Sequence, residues 1–138
     1  MQVTPYLSFD GRTEEAIAFY KKAIGAEPGM MMRFKDMPAG TPSMGPTPPD
    51  KIMHASFKIG ETTVMASDGR CSGAAEFKGI NLSLNAKSDA EAERLFKALS
   101  DGGNVGMPMT STFFASRFGI VADKFGVNWM VICEKPMG

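Results

Sequence analysis

The chain contains the same short pattern twice, and this repeat restricts the fold more than any other feature. The stretches FKIGETTVMASD and DKFGVNWMVICE both place Lys-x-Gly before a mostly apolar run that ends in an acid. Lys58 and Lys124 are 66 residues apart, and so are Gly60 and Gly126. A repeat of this length in a chain of 138 residues predicts two similar modules that build one domain of ordinary size.

Apolar periodicity predicts the same order of elements in each copy, namely a strand, a helix and three strands. The repeated order predicts an α+β fold built from two tandem βαβββ units. Together the two units are expected to form a curved, mixed, eight-stranded sheet with helices on its outer face. The inner face then forms a half-open pocket. We expect a single domain over residues 1–138, with the first module at about residues 1–70 and the second at about residues 78–138. The predicted strands are residues 3–9, 29–34, 52–59, 61–66, 79–86, 105–109, 114–121 and 129–133, and the predicted helices begin near Thr13 and Ser88.

Charge and composition narrow the classes of partner. The formal net charge is zero, with 15 basic and 15 acidic residues, and no basic stripe predicts nucleic-acid binding. No apolar run approaches the roughly 18 residues of a membrane span, and the first residues lack a secretory pattern. Cys71 and Cys133 have no metal-type spacing and are interpreted as two unrelated thiols. We therefore expect a cytoplasmic protein without a nucleic-acid or membrane partner.

Several motifs resemble those of a known superfamily. FDG, AFYKK and IG in the first helical region are similar to the opening of the vicinal-oxygen-chelate (glyoxalase, bleomycin-resistance and dioxygenase) superfamily. TPYL, DKIMHA, MASD, SRFG and DKFGVNWM resemble its PhnB-like subgroup, and together these matches cover essentially the whole chain. Members of that subgroup often carry the name of a demethylubiquinone methyltransferase. The sequence contains no glycine-rich strand-to-helix loop typical of a methyl-donor site, so we predict no methyl transfer.

The resemblance also implies where a metal would bind. In metal-using members each module supplies one ligand, often His, on its first strand and a carboxylate on its last strand. The carboxylate positions hold Val64 and Met130 here, and the first-strand segments contain neither His nor an acid. Methionine sulfur suits soft copper at most. The sequence therefore predicts no metal ligands and no cofactor, while a divalent metal bound through other ligands remains the alternative.

Candidate site residues come from polar side chains on the predicted concave face. His54 is the only histidine and is the candidate base or ligand donor, with a structural hydrogen bond to a backbone carbonyl as the alternative. Arg117 is a candidate anchor for a carboxylate or phosphonate, or else an ion-pair partner of Asp123 or Glu134. Trp129 is a candidate stacking surface or else a core aromatic. The predicted ligand-binding set is His54, Ser56, Asn81, Ser83, Arg117, Trp129 and Met130, with His54 as the catalytic candidate.

Two functions fit these residues. The first is a binding module that holds a small organic molecule without a metal, with the proline-rich residues 36–51 as a lid or a dimer arm. The alternative is a lyase, isomerase or dioxygenase that depends on His54 or on a metal. Asp68 would supply a carboxylate at the mouth of the pocket or cap a turn. A homodimer is expected, because members of the superfamily usually pair their modules across a two-fold interface.

Overall fold

A computed structural model describes residues 1–40, 48–69 and 75–135 of the chain. The chain divides into two units, Met1–Ala75 and Glu76–Gly138. Each unit contains one α-helix and one four-stranded sheet. None of the helices described is both long enough and apolar enough to cross a membrane.

The first unit follows the predicted order of elements. Its sheet has the strand order β1-β4-β3-β2, in which β1 pairs with β4 in parallel and the other neighbours are antiparallel. The sheet is therefore mixed, as predicted. The elements are β1 (Tyr6–Ser8), α1 (Thr13–Ile24), β2 (Glu27–Arg33) followed by the 3-10 turn Phe34–Asp36, β3 (Ile52–Ile59) and β4 (Thr62–Ser67).

Helix α1 covers one face of this sheet. Its Tyr20 is fully buried and stacks on Phe57 of β3, with ring centroids 5.8 Å apart. The helix ends at Gly25, whose φ of 71° suits glycine and whose N–H donates to the carbonyl of Tyr20. Side chains alternate along each strand, so the opposite face consists of the remaining positions. We call it the helix-distal face of the first sheet, and it carries Tyr6, His54, Ser56 and Met65.

The second unit repeats this topology. Its sheet has the order β5-β8-β7-β6, again with one parallel pair, β5 with β8. The Ser88 hydroxyl accepts from the Glu91 N–H at 3.1 Å, which confirms the predicted start of the helix. The elements are β5 (Asn81–Asn85), α2 (Asp89–Ser100), β6 (Asn104–Thr110), β7 (Ala115–Ala122) and β8 (Asn128–Glu134).

Helix α2 packs against β7 and β8 through its buried apolar side. A methyl group added at Gly119 of β7 would stand 2.7 Å from the Phe96 ring of α2, so this glycine permits the close approach. Gly119 pairs with Val131 of β8, and both therefore face α2. The alternate positions form the helix-distal face of the second sheet, which carries Asn81, Ser83, Asn85 and Met130.

The α+β class and the tandem βαβββ order are confirmed, while the division into sheets and several strand bounds differ from the prediction. The eight strands are hydrogen-bonded as two sheets of four rather than as one continuous sheet. β1 is also shorter than predicted, because its pairing with β4 starts at Tyr6 and Val3 is 96% exposed. A strand needs a paired neighbour, and the apolar pattern alone did not reveal where that pairing begins.

Candidate functional site

Tyr6 and His54 form a side-chain pair on the helix-distal face of the first sheet. The Tyr6 hydroxyl lies 3.0 Å from His54 Nδ1, and the two ring centroids are 5.7 Å apart. Tyr6 is 51% exposed and His54 is half-buried. The partner of His54 is thus a side-chain hydroxyl, whereas the structural alternative predicted a backbone carbonyl. Among the described residues Nε2 has no hydrogen-bond partner.

Strand pairing explains why these two side chains meet. Met65 of β4 pairs with Tyr6 on one side and with Ser56 on the other. Ser56 and His54 are two positions apart on β3 and therefore share a face. The Tyr6 side chain extends over β4, the strand between β1 and β3, and its hydroxyl meets the imidazole. This contact holds the imidazole ring in one orientation.

Sequence reasoning missed Tyr6. The residue belongs to the TPYL motif, but only the motif was recognised and no role was assigned to its tyrosine. Alternation was the available signal, because Leu7 is an apolar core position and Tyr6 must then face the other way. The parallel pairing that brings Tyr6 toward His54 is not visible in the sequence.

Ser56 lies on the predicted face, but its oxygen already has a partner. Its Oγ accepts a hydrogen bond from the Met30 N–H at 3.2 Å, at an irregularity in the pairing between β2 and β3. The hydroxyl hydrogen can still be donated. Met32 of β2 pairs with His54 and flanks the imidazole on the side away from β4. The imidazole therefore has a methionine on each neighbouring strand, Met32 on β2 and Met65 on β4, and methionine side chains adapt well to ligand shape.

Three of the other predicted residues lie together on the second sheet. Ser83 pairs with Met130 across the parallel β5–β8 contact, and Asn81 is two positions before Ser83 on the same face. Asn81 and Ser83 are exposed, and Met130 is half-buried. The polar side of β5 therefore faces away from α2, which is the arrangement that a polar pocket floor requires.

Arg117 and Trp129 do not join that group. Arg117 Nε donates to the Glu93 carboxylate of α2 at 3.0 Å, so its partner is neither Asp123 nor Glu134. Trp129 is 1% exposed, and its indole N–H donates to Asp123 at 2.8 Å. Both side chains lie on the α2 side of the second sheet, opposite Met130. We correct their predicted placement accordingly and leave both out of the proposed site.

The Arg117–Glu93 ion pair is expected to contribute less to stability than a buried polar contact such as the one between Trp129 and Asp123. Both side chains are partly exposed, at 38% and 52%, and water screens such pairs. We expect Glu93→Gln to lower the free energy of unfolding by less than about 1 kcal/mol in urea titrations. Asp50→Asn, which breaks the more exposed pair with Lys35, is the control. A loss above about 2 kcal/mol would show that Arg117 depends on this partner as buried ions do.

Within the described part of the chain, two carboxyl groups have a lowered pKa, and both belong to the first turn of a helix. A hydrogen bond and the charge of Arg33 lower the pKa of Glu14 in α1. A hydrogen bond from Ser116 lowers the pKa of Asp89 in α2. The two hydrogen bonds therefore stabilise the ionised form of each carboxyl group. Neither carboxyl group belongs to the Tyr6–His54 pair.

The donors on the last strands do not fit a divalent metal. Val64 is 2% exposed and faces α1, so the helix-distal counterpart of Met130 is Met65. The repeat spacing equates Val64 with Met130, which is one residue away from the structural match. A shift of one residue along a strand moves a side chain to the other face of the sheet. Over residues 1–40, 48–69 and 75–135, no group of three or more His, Cys, Asp or Glu side chains is placed to hold a metal ion. Thioethers are poor ligands for hard divalent ions.

Asp68 is also buried rather than placed at a pocket mouth. It is 1% exposed, and its carboxylate accepts hydrogen bonds from three backbone N–H groups. Of the two cysteines, Cys133 is a buried free thiol, and Cys71 lies outside the described residues. The proline-rich segment predicted as a lid or dimer arm also lies partly outside them, at residues 41–47.

The chain has two βαβββ units, each with a mixed sheet covered by one helix, and this is the glyoxalase-like α+β fold. A glyoxylase/bleomycin resistance protein/dioxygenase domain from Frankia sp. EAN1pec has this fold, with a TM-score of 0.63 at 13% identity and with 97% of this chain and 95% of that one covered. At this identity the likeness shows the fold alone. The model of one family, described as 3-demethylubiquinone-9 3-methyltransferase, matches residues 1–132. The chain belongs to this family.

Similar proteins support this assignment over nearly the full length. Protein YjdN of Escherichia coli (strain K12) is 38% identical in an alignment of length 138 that covers 95% of this chain and 94% of YjdN. The crystal structure of protein PA1353 from Pseudomonas aeruginosa has a TM-score of 0.84 at 43% identity, with 99% of both chains covered. A putative 3-demethylubiquinone-9 3-methyltransferase, PhnB protein, from Bacillus cereus has a TM-score of 0.80 at 25% identity, with 96% and 99% covered.

Proposed function

We propose that the chain binds a small organic molecule on the helix-distal face of the first sheet, and that Tyr6 and His54 contact it. The single observation that carries this proposal is the 3.0 Å contact between the Tyr6 hydroxyl and His54 Nδ1. The contact orients an imidazole whose other nitrogen has no partner among the described residues. A polar group held in place between apolar side chains is the usual composition of a small-molecule site.

The neighbours of the pair support binding. Met32 pairs with His54 in the strand register, Met65 pairs with the neighbouring Ser56, and both methionines are half-buried. Their flexible thioethers fit ligands of varied shape. The polar face of the second sheet, with Asn81, Ser83 and Met130, is proposed as a separate candidate binding surface.

A binding experiment on His54 tests the proposal. As the only histidine, His54 has imidazole NMR signals that no other residue can confuse. We expect some members of a set of small aromatic, aliphatic and anionic compounds to shift these signals and to raise the melting temperature. For such a compound, His54→Ala should weaken binding about tenfold, because a well-oriented hydrogen bond is lost.

Glu93→Gln is the matched control, since it changes an exposed side chain on α2 and leaves the first sheet intact. It should keep the parent affinity. Binding by compounds that leave the imidazole signals unchanged would contradict the proposed location. If no compound in the set binds at millimolar concentration, the proposal of small-molecule binding fails as a whole.

The same contact also favours a second candidate, an enzyme in which His54 moves a proton. An imidazole with one nitrogen fixed by a hydroxyl and the other nitrogen unpartnered resembles the arrangement of a general base. A lyase or isomerase that removes a proton from a bound compound would use it. Turnover of a bound compound that is lost in His54→Ala, with binding retained, would favour this alternative over simple binding.

The description of the family names a methyl transfer, which we do not propose for this chain. A methyl donor usually binds at a glycine-rich turn between a strand and a helix of a parallel sheet. In the turn from β1 to α1, the N–H groups of Gly11 and Thr13 already donate to the buried Asp68 carboxylate. A homodimer, a cytoplasmic location and binding without a metal or other cofactor remain predictions.

A further inference from the structure

The Tyr6–His54 pair has hydrogen-bonding capacity that its internal contact does not use. A neutral tyrosine and a neutral imidazole carry two polar hydrogens between them, and one of these lies in the bond from Oη to Nδ1. If the hydroxyl donates to Nδ1, the second hydrogen is on Nε2. If Nδ1 donates to the hydroxyl oxygen, the second hydrogen is on Tyr6. In both tautomers the pair offers one donor to a ligand.

The surroundings of that donor are mainly apolar. The Tyr6 ring is half exposed, Met65 lies between Tyr6 and Ser56 in the strand register, and Met32 stands opposite His54. Methionine sulfur makes favourable contacts with aromatic rings, and an exposed tyrosine ring packs well against a second ring. A flat aromatic group therefore fits beside the pair, with a polar atom directed at its donor.

We infer that Tyr6 and His54 act as one unit that selects aromatic compounds bearing a carbonyl oxygen, with Tyr6 as a specificity-determining residue. The inference rests on the proposed function, because it names the ligand class of the same face. Tyr6 acts both directly and by holding the imidazole. Loss of either partner frees the other to rotate and to bond with water, so the selection depends on both.

A pair of probes with the same shape tests this selection. Acetophenone has a carbonyl oxygen where α-methylstyrene has a CH₂ group, and the two molecules are otherwise alike. The methyl signal of Met65 in carbon-13 NMR serves as the readout, since it is present in every variant that the test needs. We expect the parent protein to bind acetophenone about fivefold more tightly than α-methylstyrene, as one neutral hydrogen bond allows.

Variants then show whether the two residues act together. Tyr6→Phe and His54→Leu should each lower the ratio of the affinities for acetophenone and α-methylstyrene from about five to about one. The double variant should give the same ratio, because each change removes the same unit. Ser8→Ala, which removes a hydroxyl from the same face of β1, is the matched control and should keep the preference. Urea midpoints of all variants check that each is folded.

The outcomes separate the two proposals. Equal affinities of the parent for both probes, or additive effects of the single variants, would overturn the ligand class or the pairing while leaving small-molecule binding intact. If neither probe shifts the Met65 signal but other compounds shift the His54 signals, only the ligand class is overturned. If no compound affects either signal, the proposed function fails together with this inference.

Discussion

Replacing Asp68 with Ala is expected to lower the free energy of unfolding by about 3–5 kcal/mol, a large share of the total stability of a small protein. The Asp68 carboxylate accepts from the N–H groups of Gly11 at 3.0 Å, Thr13 at 2.8 Å and Ile52 at 2.7 Å. It is 1% exposed, so these bonds are shielded from bulk water. Its removal leaves three donors without an acceptor, and each costs about 1–3 kcal/mol before the chain relaxes.

The position of these donors explains the size of the effect. Arg12, at the start of α1, makes no capping bond with its own side chain. The carboxylate at the end of β4 therefore replaces the local cap and joins the helix to the start of β3. Such charge-assisted bonds are stronger than neutral ones. The loss of Asp68 should thus loosen the helix and the strand together.

Urea unfolding monitored by circular dichroism measures this effect. Asp68→Asn should give an intermediate loss, because its amide oxygen still accepts while its NH₂ group faces a donor. Asp50→Ala is the control on an exposed acid, whose side chain is 81% exposed, and should stay within about 1 kcal/mol of the parent. A loss for Asp68→Ala no larger than that of the control would show that the carboxylate does not hold α1.

The second large effect is expected for Trp129→Phe, which should cost about 2–4 kcal/mol. Trp129 is 1% exposed and donates its indole N–H to Asp123 at 2.8 Å. The same carboxylate accepts from the N–H groups of Phe125 and Val127, and these bonds close the turn between β7 and β8. Phenylalanine leaves a cavity and removes one donor from a carboxylate that is 3% exposed.

Two measurements distinguish this structural role from the ligand-stacking role predicted from the sequence. Urea unfolding should show the loss of stability, while binding of a ligand to the first sheet should keep the parent affinity. Phe113→Ala, at a side chain that is 91% exposed, is the control for loss of an aromatic ring and should change stability by less than about 0.5 kcal/mol. Weaker ligand binding with unchanged stability would return Trp129 to the site.

The repeat illustrates how far spacing alone predicts equivalence. Lys58 lies in β3, whereas Lys124 lies in the longer turn formed by residues 123–127. The two copies therefore match in motif but not in structural position. Val64 and Met130, predicted as equivalent, lie on different faces of their sheets, and Met65 is the true counterpart of Met130. A turn of different length changes the register, and each one-residue shift reverses the face.

The sequence by itself determined the elements, their order and the fold class. Periodicity, caps and turn glycines act over a few residues, so α1 begins at Thr13 as predicted and β3 spans Ile52–Ile59 as predicted. Alternation also placed His54 and Ser56 on one face. Only the tertiary structure decided which side chains meet there, because Tyr6 reaches His54 from a strand 48 positions away in sequence. Likewise, the pairing of Arg117 with α2 and the burial of Asp68 depend on contacts between distant elements, which local patterns do not encode.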